Sequence, residues 1–532
     1  MSAQPAEGAA YRPAFNPWII AVTVTMATFM EVLDTSIANV SLPHIAGSLS
    51  ASVEESTWVI TSYLVANAVI LPLSGWLSSV VGRKRFYMTC VAMFTISSAL
   101  CGTATSLEQL VFYRVLQGLS GGGLQPSEQA ILVDTFPPAK RGMAMAVYGF
   151  AILTAPVLGP TLGGWITDNY TWRWIFFINV PVGCLSLLLS GMILEDPPYL
   201  KAQRAARQGQ PFRIDLVGIG LIALGLGSLE VVLDKGQTED WFHSAFIVRL
   251  TVIAAVALAA AVIWELRHPD PIINLKLFRD RNFTFAAVGV FFAFAVLYGS
   301  TVLLPQMLQT LMGYTAFQAG LVMSPAGIAT MLEMPIIGIL LSRGVDARWL
   351  IATGLGVVAF AAFWMSGLNL DVAPSQLVWP RVVQTMGAGL LWVPINTAAY
   401  AYIAKDQVNN ASGLFNLIRN EGSSVGVALS TTLLQRRAQF HQFRLAEHVS
   451  PLNRETTSWL GQMTNAARAG GADPVLAQRQ GLGMLYGMVQ REAMAMSYLD
   501  LFWLFGVLSL AVIPLVFLMK RAVAQGGGMA AH

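Results

Sequence analysis

Two acids stand where a lipid-facing segment would be least expected to hold them. Residues 29–40 read FMEVLDTSIANV, inside the apolar stretch PWIIAVTVTMATFMEVLDTSIANVSLP (17–43). Glu31 and Asp34 are three apart, which on a helix projects both from one face. Each acid costs roughly 2.5–3.5 kcal/mol at a bilayer centre, so something must offset them. Arg114, in the apolar run YRVLQGLSGGG (113–123), is the natural partner. A buried arginine stays protonated and wants a carboxylate or carbonyls. Asp34 is expected at a matching depth, with Glu31 one turn deeper. The chemistry open to this set is reversible proton binding: an Arg114 that approaches and leaves Asp34 would drive proton release and uptake in turn. A static ion pair or a hydrated structural site is the plainer alternative.

The elements that must position these residues are read from hydropathy. The chain has 532 residues, 55% hydrophobic and only 11% charged, where soluble domains carry about 25%. It lacks the polar residues to cover a soluble surface of that size. The net charge of +3 comes with no basic tract, which argues against nucleic acid. Cys90, Cys101 and Cys184 all lie in apolar runs, and an odd number of such cysteines argues against a disulfide framework. The polar leader (1–16) is followed by a full-length apolar span and reads as no cleavable signal.

Windows of about 19 residues give fourteen spans, near 17–41, 56–78, 86–105, 108–132, 142–166, 172–194, 215–234, 244–264, 283–307, 316–341, 349–368, 376–403, 411–434 and 498–519. The cations test that count. With a cytoplasmic N-terminus, the inside loops hold Arg83-Lys84-Arg85, Lys140-Arg141, Lys201/Arg204/Arg207/Arg213, Arg267/Lys276/Arg279/Arg281, Arg343/Arg348 and Lys405. Lys520-Arg521 fall in the tail, and the short outside loops hold only Arg173 and Lys235. This alternation obeys the positive-inside rule and places both termini in the cytoplasm. Residues 435–497 form the one long outside segment, either an amphipathic helix on the membrane face or a mobile loop.

An internal repeat fixes the architecture. GWLSSVVGRKR (75–85) is echoed by GILLSRGVDAR (338–348), matching Gly75 with Gly338 and Arg85 with Arg348. RVLQGLSGG (114–122) is echoed by RVVQTMGAG (381–389), matching Arg114 with Arg381 and Gln117 with Gln384. Both pairs lie eight spans apart. The simplest account is an all-α integral membrane protein of two six-helix halves with two helices inserted between them, and such repeats usually place a transport site between the halves. The expected divisions are a leader (1–16), a first half (17–194), a loop with the two inserted helices (195–264), a connector (265–282), a second half (283–520) and a tail (521–532).

Five motifs carry a family resemblance. GWLSSVVGRKR resembles the signature turn of the major facilitator superfamily, here with Gly75, Gly82, Arg83 and Arg85. LDTSIANVSLPHI (33–45), YRVLQGLSGGG, LTAPVLGPTLGGW (153–165) and WRWIFFINVPVG (172–183) resemble the motifs of its fourteen-span drug:proton antiporters, the EmrB/QacA group. The resemblance runs from about 17 to 520, and VVLDKGQTEDWF (231–242) extends it. It departs at Ser79, where the family's turn usually carries an aspartate, which puts any latch through that carboxylate in doubt. Without the family, Pro156 and Pro160 still interrupt backbone bonding one turn apart and bend the fifth span. Gly159 and Gly163 offer a small-residue face for close helix contact. The resemblance makes this stretch the antiporter motif and favours export.

Further charges lie at membrane depth: Glu230, Glu333, Arg381, Arg419 and Glu421. With Gln117 and Gln384, the last four are candidates for a substrate cavity, and Glu333 for meeting a cationic substrate. A water-facing structural acid is as good a reading of Glu333. No GxxxxGK[ST] appears, so ATP is not expected to be the direct energy source, and the proton gradient would suffice. The function implied is a proton-coupled exporter of hydrophobic or cationic toxic compounds in the inner membrane. The rival is a proton-coupled exporter of one metabolite, lipid or siderophore. An intramembrane enzyme lacks its constellation, since the six histidines sit in loops or at span edges, and no metal or cofactor set is seen. A passive channel would need a filter repeat. By resemblance, partners would be membrane lipid, protons, small-molecule substrates, an EmrA-like periplasmic adaptor and a TolC-like outer-membrane channel, with residues 435–497 as the contact region.

Overall fold

The computed structural model describes residues 14–197, 200, 215–269, 271–404, 407–450 and 452–521. Leader residues 1–13, Lys201, Arg204, Arg207, Arg213, Lys405 and tail residues 522–532 lie outside the described residues. Among the described residues there are helices and no strand. A backbone in lipid requires this, because its N–H and C=O groups must be bonded within their own segment.

The first half comprises α1 (Pro17–Ser48), α2 (Trp58–Val81), α3 (Arg83–Thr103), α4 (Leu107–Gly121), α5 (Leu124–Thr135), α6 (Pro138–Asn169) and α7 (Trp174–Ile193). The inserted pair is α8 (Leu216–Lys235) and α9 (Ala245–Arg267). The second half comprises α10 (Arg281–Leu311), α11 (Ala316–Ser342), α12 (Ala347–Ser366), α13 (Pro374–Ala399), α14 (Val408–Ala446), α15 (Arg454–Ala469) and α16 (Pro474–Val516). Ten of these segments are long and apolar enough to cross a membrane, or eleven with bent α6 taken as one span. The three other expected spans have a reason to fall short. The fourth is broken into α4 and α5, and α13 and α14 carry buried Arg381, Gln384, Asn396, Asn416 and Arg419 in place of lipid-like residues.

Glycine and proline set the local geometry. The break between α4 and α5 lies where α4 crosses the α2 backbone: a Cβ on Gly122 would sit 2.6 Å from the Asn67 carbonyl oxygen. In α6 the axis bends by 44° between Lys140–Pro156 and Leu158–Asn169. Pro160 has no N–H for the Pro156 carbonyl one turn back, and the Ser36 hydroxyl donates to that carbonyl instead, at 3.1 Å. Gly159 and Gly163 pack directly on Ser36 and Ile37 of α1, so the small-residue face does what its spacing predicts.

The repeat is visible in the packing. Gly75 of α2 lies against Asn409 and Asn410 of α14, while Gly338 of α11 lies against Met143 of α6. Each half therefore presses its repeat glycine on the other, at the end of the bundle that carries the basic turns. Gly82 joins α2 to α3 with a φ of 97°, a conformation other residues rarely adopt. Next to it Arg83 is buried and donates to Asp134 at 2.5 Å and to the Ala130 carbonyl at 3.1 Å; Arg85 is exposed. Ser79 donates to the Trp76 carbonyl of its own helix at 2.7 Å, so its hydroxyl bonds within α2. The second-half turn is fastened differently: Arg348 donates to Asp346 at 2.7 Å and to the Met519 carbonyl at 3.2 Å.

Residues 435–497 are neither a mobile loop nor a single surface helix. α14 continues to Ala446 and α16 begins at Pro474, with α15 packed on α16 between them. At 1.5 Å per residue α14 and α16 run about 58 and 64 Å, twice a hydrocarbon core of about 30 Å, so a helical hairpin stands clear of the bundle. Asp500 pins its base, accepting from Arg437 at 2.7 Å and meeting His441 Nε2 at 2.6 Å.

Candidate functional site

The expected proton-binding set assembles in the first half. Asp34 is buried and accepts from Arg114 Nη1 at 2.6 Å, Gln117 Nε2 at 3.1 Å and Asn179 Nδ2 at 2.7 Å. Arg114 is held by the Val59 carbonyl at 3.0 Å and by the Tyr63 ring, whose centre is 4.3 Å from the guanidinium carbon. Three residues correspond to roughly 60° around a helix axis, and the two acids part company over that angle. Asp34 faces α4 and α7, whereas Glu31 faces α2 and α5. Glu31 has no cation in contact; it accepts from Tyr63 at 3.1 Å, Asn67 at 3.3 Å and Gln125 at 2.6 Å.

Gln125 links Glu31 to the other half. Its side-chain oxygen accepts from Arg419 of α14, while its amide nitrogen serves Glu31. Arg419 also donates to Tyr148 at 3.2 Å and lies 5.5 Å from the ring centres of Phe294 and Trp392. One turn further, Gln129 gathers three donors from the second half, Tyr400 at 2.7 Å, Asn416 at 2.7 Å and Ser412 at 3.0 Å, and itself donates to Asn396 at 3.3 Å. The halves are thus clasped toward the basic end.

The second half has its own polar centre. Arg381 donates to Gln384 at 2.7 Å, Ser300 at 3.2 Å and Thr301 at 2.7 Å. The other cavity candidates do not converge with it. Gln117 belongs to the Asp34 centre and Arg419 to the interface. Glu333 is buried beside Gly389, with Oε2 free of hydrogen bonds. Glu421 lies within electrostatic reach of Glu230 of α8. A small pocket beside Gln384, lined by Leu153, Ala293, Phe294, Leu297 and Ala388, is apolar.

Sequence reasoning passed over Asn179, Gln125, Gln129 and Glu128. Glu128 is fully buried, accepts from Thr25 at 2.5 Å, and leaves Oε2 without a partner. The signal was present: Gln125 and Glu128 in LQPSEQ repeat the three-residue spacing of Glu31 and Asp34. Among the described residues no group of His, Cys, Asp and Glu suits a metal ion.

This geometry meets two kinds of likeness. The Major Facilitator Superfamily model matches residues 24–427. The chain belongs to the major facilitator superfamily. Its fold agrees with solved members at low identity: the human organic anion transporter MFSD10 (TM-score 0.57, 14% identical, covering 93% of this chain and 100% of that one) and the proton:xylose symporter XylE (TM-score 0.57, 13%, 94% and 95%). Within the superfamily the chain is 36% identical over 513 residues to the multidrug export protein EmrB of Escherichia coli, covering 96% of each chain. It is 37% identical over 512 residues to the fatty acid resistance protein FarB of Neisseria gonorrhoeae, covering 96% and 97%. The protein is therefore a multi-pass membrane protein of the EmrB type, with the inserted pair α8–α9 between the two superfamily halves.

Proposed function

We propose that this superfamily member is a proton-coupled exporter of hydrophobic or cationic toxic compounds, working by alternating access. It performs no covalent chemistry. It sits in the inner membrane with the basic end and both termini in the cytoplasm. The observation that carries the reading is the Glu31–Gln125–Arg419 connection, in which an acid of one half and a cation of the other share a single amide. An ionised Glu31 accepts three bonds. A protonated Glu31 has a donor to place and one acceptor fewer to offer, so Gln125 loses its best partner. Protonation in one half thereby loosens a bond to the other, which is the coupling an antiporter needs. Asp34, ion-paired and held by Arg114, is the site of release and uptake. Members named for multidrug export support the substrate class.

The hairpin of α14, α15 and α16 projects to the periplasmic side and is the surface on which a periplasmic adaptor, and through it an outer-membrane channel, would engage. A second reading, export of one amphipathic anion, draws support from the FarB likeness and from Arg381, whose contacts are all neutral.

The test uses purified protein in liposomes with a trapped pH dye and an imposed proton gradient. Lipophilic cations and long-chain fatty acids are added in turn to wild type, Asp34→Asn and Gln125→Ala. The expected result is substrate-triggered proton flux that Asp34→Asn abolishes and Gln125→Ala reduces about tenfold. Flux with fatty acids alone selects the second reading. No flux with any compound rejects both.

A further inference from the structure

The inserted helix α8 brings a buried acid to the seam between the halves. Glu230 is 1% exposed; its Oε1 accepts from Ser424 of α14 at 2.7 Å, and its Oε2 has no hydrogen-bond partner. Glu421, one turn before Ser424 on α14, is the charged neighbour of Glu230, and neither of its oxygens has a partner. The surrounding charges are all committed elsewhere. Arg419 turns to Gln125, Asp234 accepts from Thr61, and Lys235 donates to Thr57 over the Trp58 ring. On α9, Arg249 donates to its own Ala245 carbonyl and Glu265 accepts from the Ile273 backbone. α2 has no charged residue. Among the described residues, no cation contacts either carboxylate.

The position is equally specific. α2 and α14 touch directly toward the basic end, where Gly413 meets the Leu71 carbonyl. At the opposite end they are joined through α8 and the turn after it. Lys235 reaches Thr57, just before α2, while Gln237 reaches Gln435 at 2.7 Å and Trp241 reaches Thr432 at 3.0 Å, both on α14. Glu230 and Glu421 lie beneath that strap, next to a helix whose outward face, Leu216, Val217 and Leu224, is apolar and exposed.

Two adjacent carboxylates out of water cannot both stay charged without a cation. The site must hold either a proton or another positive charge. We propose that Glu230 and Glu421 form a second cation site, apart from the Asp34 centre, which keeps one shared proton at rest and yields it to a lipophilic monovalent cation entering from the lipid side of the seam. The exchange balances: the acid O–H bond breaks, the proton leaves to water, and the cation takes its place, so the net charge of the site is unchanged. This deepens the exporter reading and rests on it for its physiological meaning, although the exchange itself can be measured without transport.

The test is proton release on titrating purified protein, in weakly buffered detergent with a pH dye, with tetraphenylphosphonium. Wild type is expected to release protons, and so is Asp34→Asn, whose liposome flux is lost. The double variant Glu230→Gln/Glu421→Gln should release about one proton fewer per chain and bind the cation about tenfold or more weakly. Glu230→Asp, which keeps the carboxylate, should restore release and guards against a folding artefact. Tetraphenylborate, of the same shape and opposite charge, should release none. No release from wild type, or equal release and affinity in the double variant, overturns the proposal. A failed liposome assay with intact, Glu230-dependent release would reject the exporter reading and leave this site standing.

Discussion

The two halves build the same polar centre with one substitution. The offset between them is constant, 381 − 114 = 384 − 117 = 301 − 34 = 267. In each, the arginine donates to a glutamine three residues on at 2.7 Å. In the first half the arginine also donates to Asp34 and the Val59 carbonyl; in the second it donates to Thr301, at the position equivalent to Asp34, and to Ser300. One scaffold therefore yields a buried ion pair on one side and a cation among neutral partners on the other. The difference fits the proposed role of Asp34: the first-half arginine faces a carboxylate, while the second-half arginine has only neutral partners.

Breaking the arginines separates the two cases most sharply. Arg114→Ala strands a buried carboxylate and should destabilise the detergent-solubilised protein by about 3–5 kcal/mol. Arg381→Ala strands only neutral groups and should cost about 1–3 kcal/mol. Equal losses in chemical unfolding would mean the halves are not functionally distinct. Asp34→Thr copies the second-half arrangement into the first. Because it leaves Arg114 without its carboxylate, it should cost about 3–5 kcal/mol and lose all proton flux in liposomes; retained flux would place the coupling acid elsewhere.

Glu128 extends the contrast, since it is a first-half acid with no cation. Glu128→Gln keeps the Thr25 bond and exchanges a buried carboxyl for a neutral amide of the same shape, so unfolding should shift by less than about 1 kcal/mol, in contrast with Arg114→Ala. The smallest effect concerns the second-half basic turn. Burial pushes the Asp346 carboxyl up, but its bonds to Arg348 outweigh this and hold it below its ordinary value. Asp346→Asn should cost about 0.2–1 kcal/mol at neutral pH. A depressed carboxylate stabilises above its unfolded value and stops doing so as the pH falls through the folded one. The gap between variant and wild type should therefore close below about pH 4.

Much of this was legible from residue types. Hydropathy and the cation alternation located every described span, because burial of a helix in lipid leaves a strong one-dimensional trace. The repeat matched Arg114 with Arg381 and Gln117 with Gln384, and each arginine donates to its own glutamine because similar local sequence packs similarly. Asp34 and Arg114 were paired from depth alone. What stayed hidden depended on side chains that carry no charge. Asn179, Gln125 and Gln129 resemble ordinary polar residues until the fold shows which carboxylate or amide they face. At 435–497 the helical reading was open, but the hairpin was not, because window hydropathy stops at the end of the apolar run while the flanking helices continue beyond it. The six cavity candidates did not share a cavity, since depth along a helix says nothing of which way a residue faces around it.

The clasp around Gln129 joins the halves with amides and hydroxyls: Tyr400, Ser412, Asn396 and Asn416. Neutral bonds are indifferent to screening, whereas exposed ion pairs weaken as the Debye length shortens from about 10 Å at 0.1 M salt to about 3 Å at 1 M. In the proposed cycle a clasp of this composition would open and close on the same balance at low and high salt. Doubling the salt would leave that equilibrium where it was, and only events at the carboxylates behind it would move it.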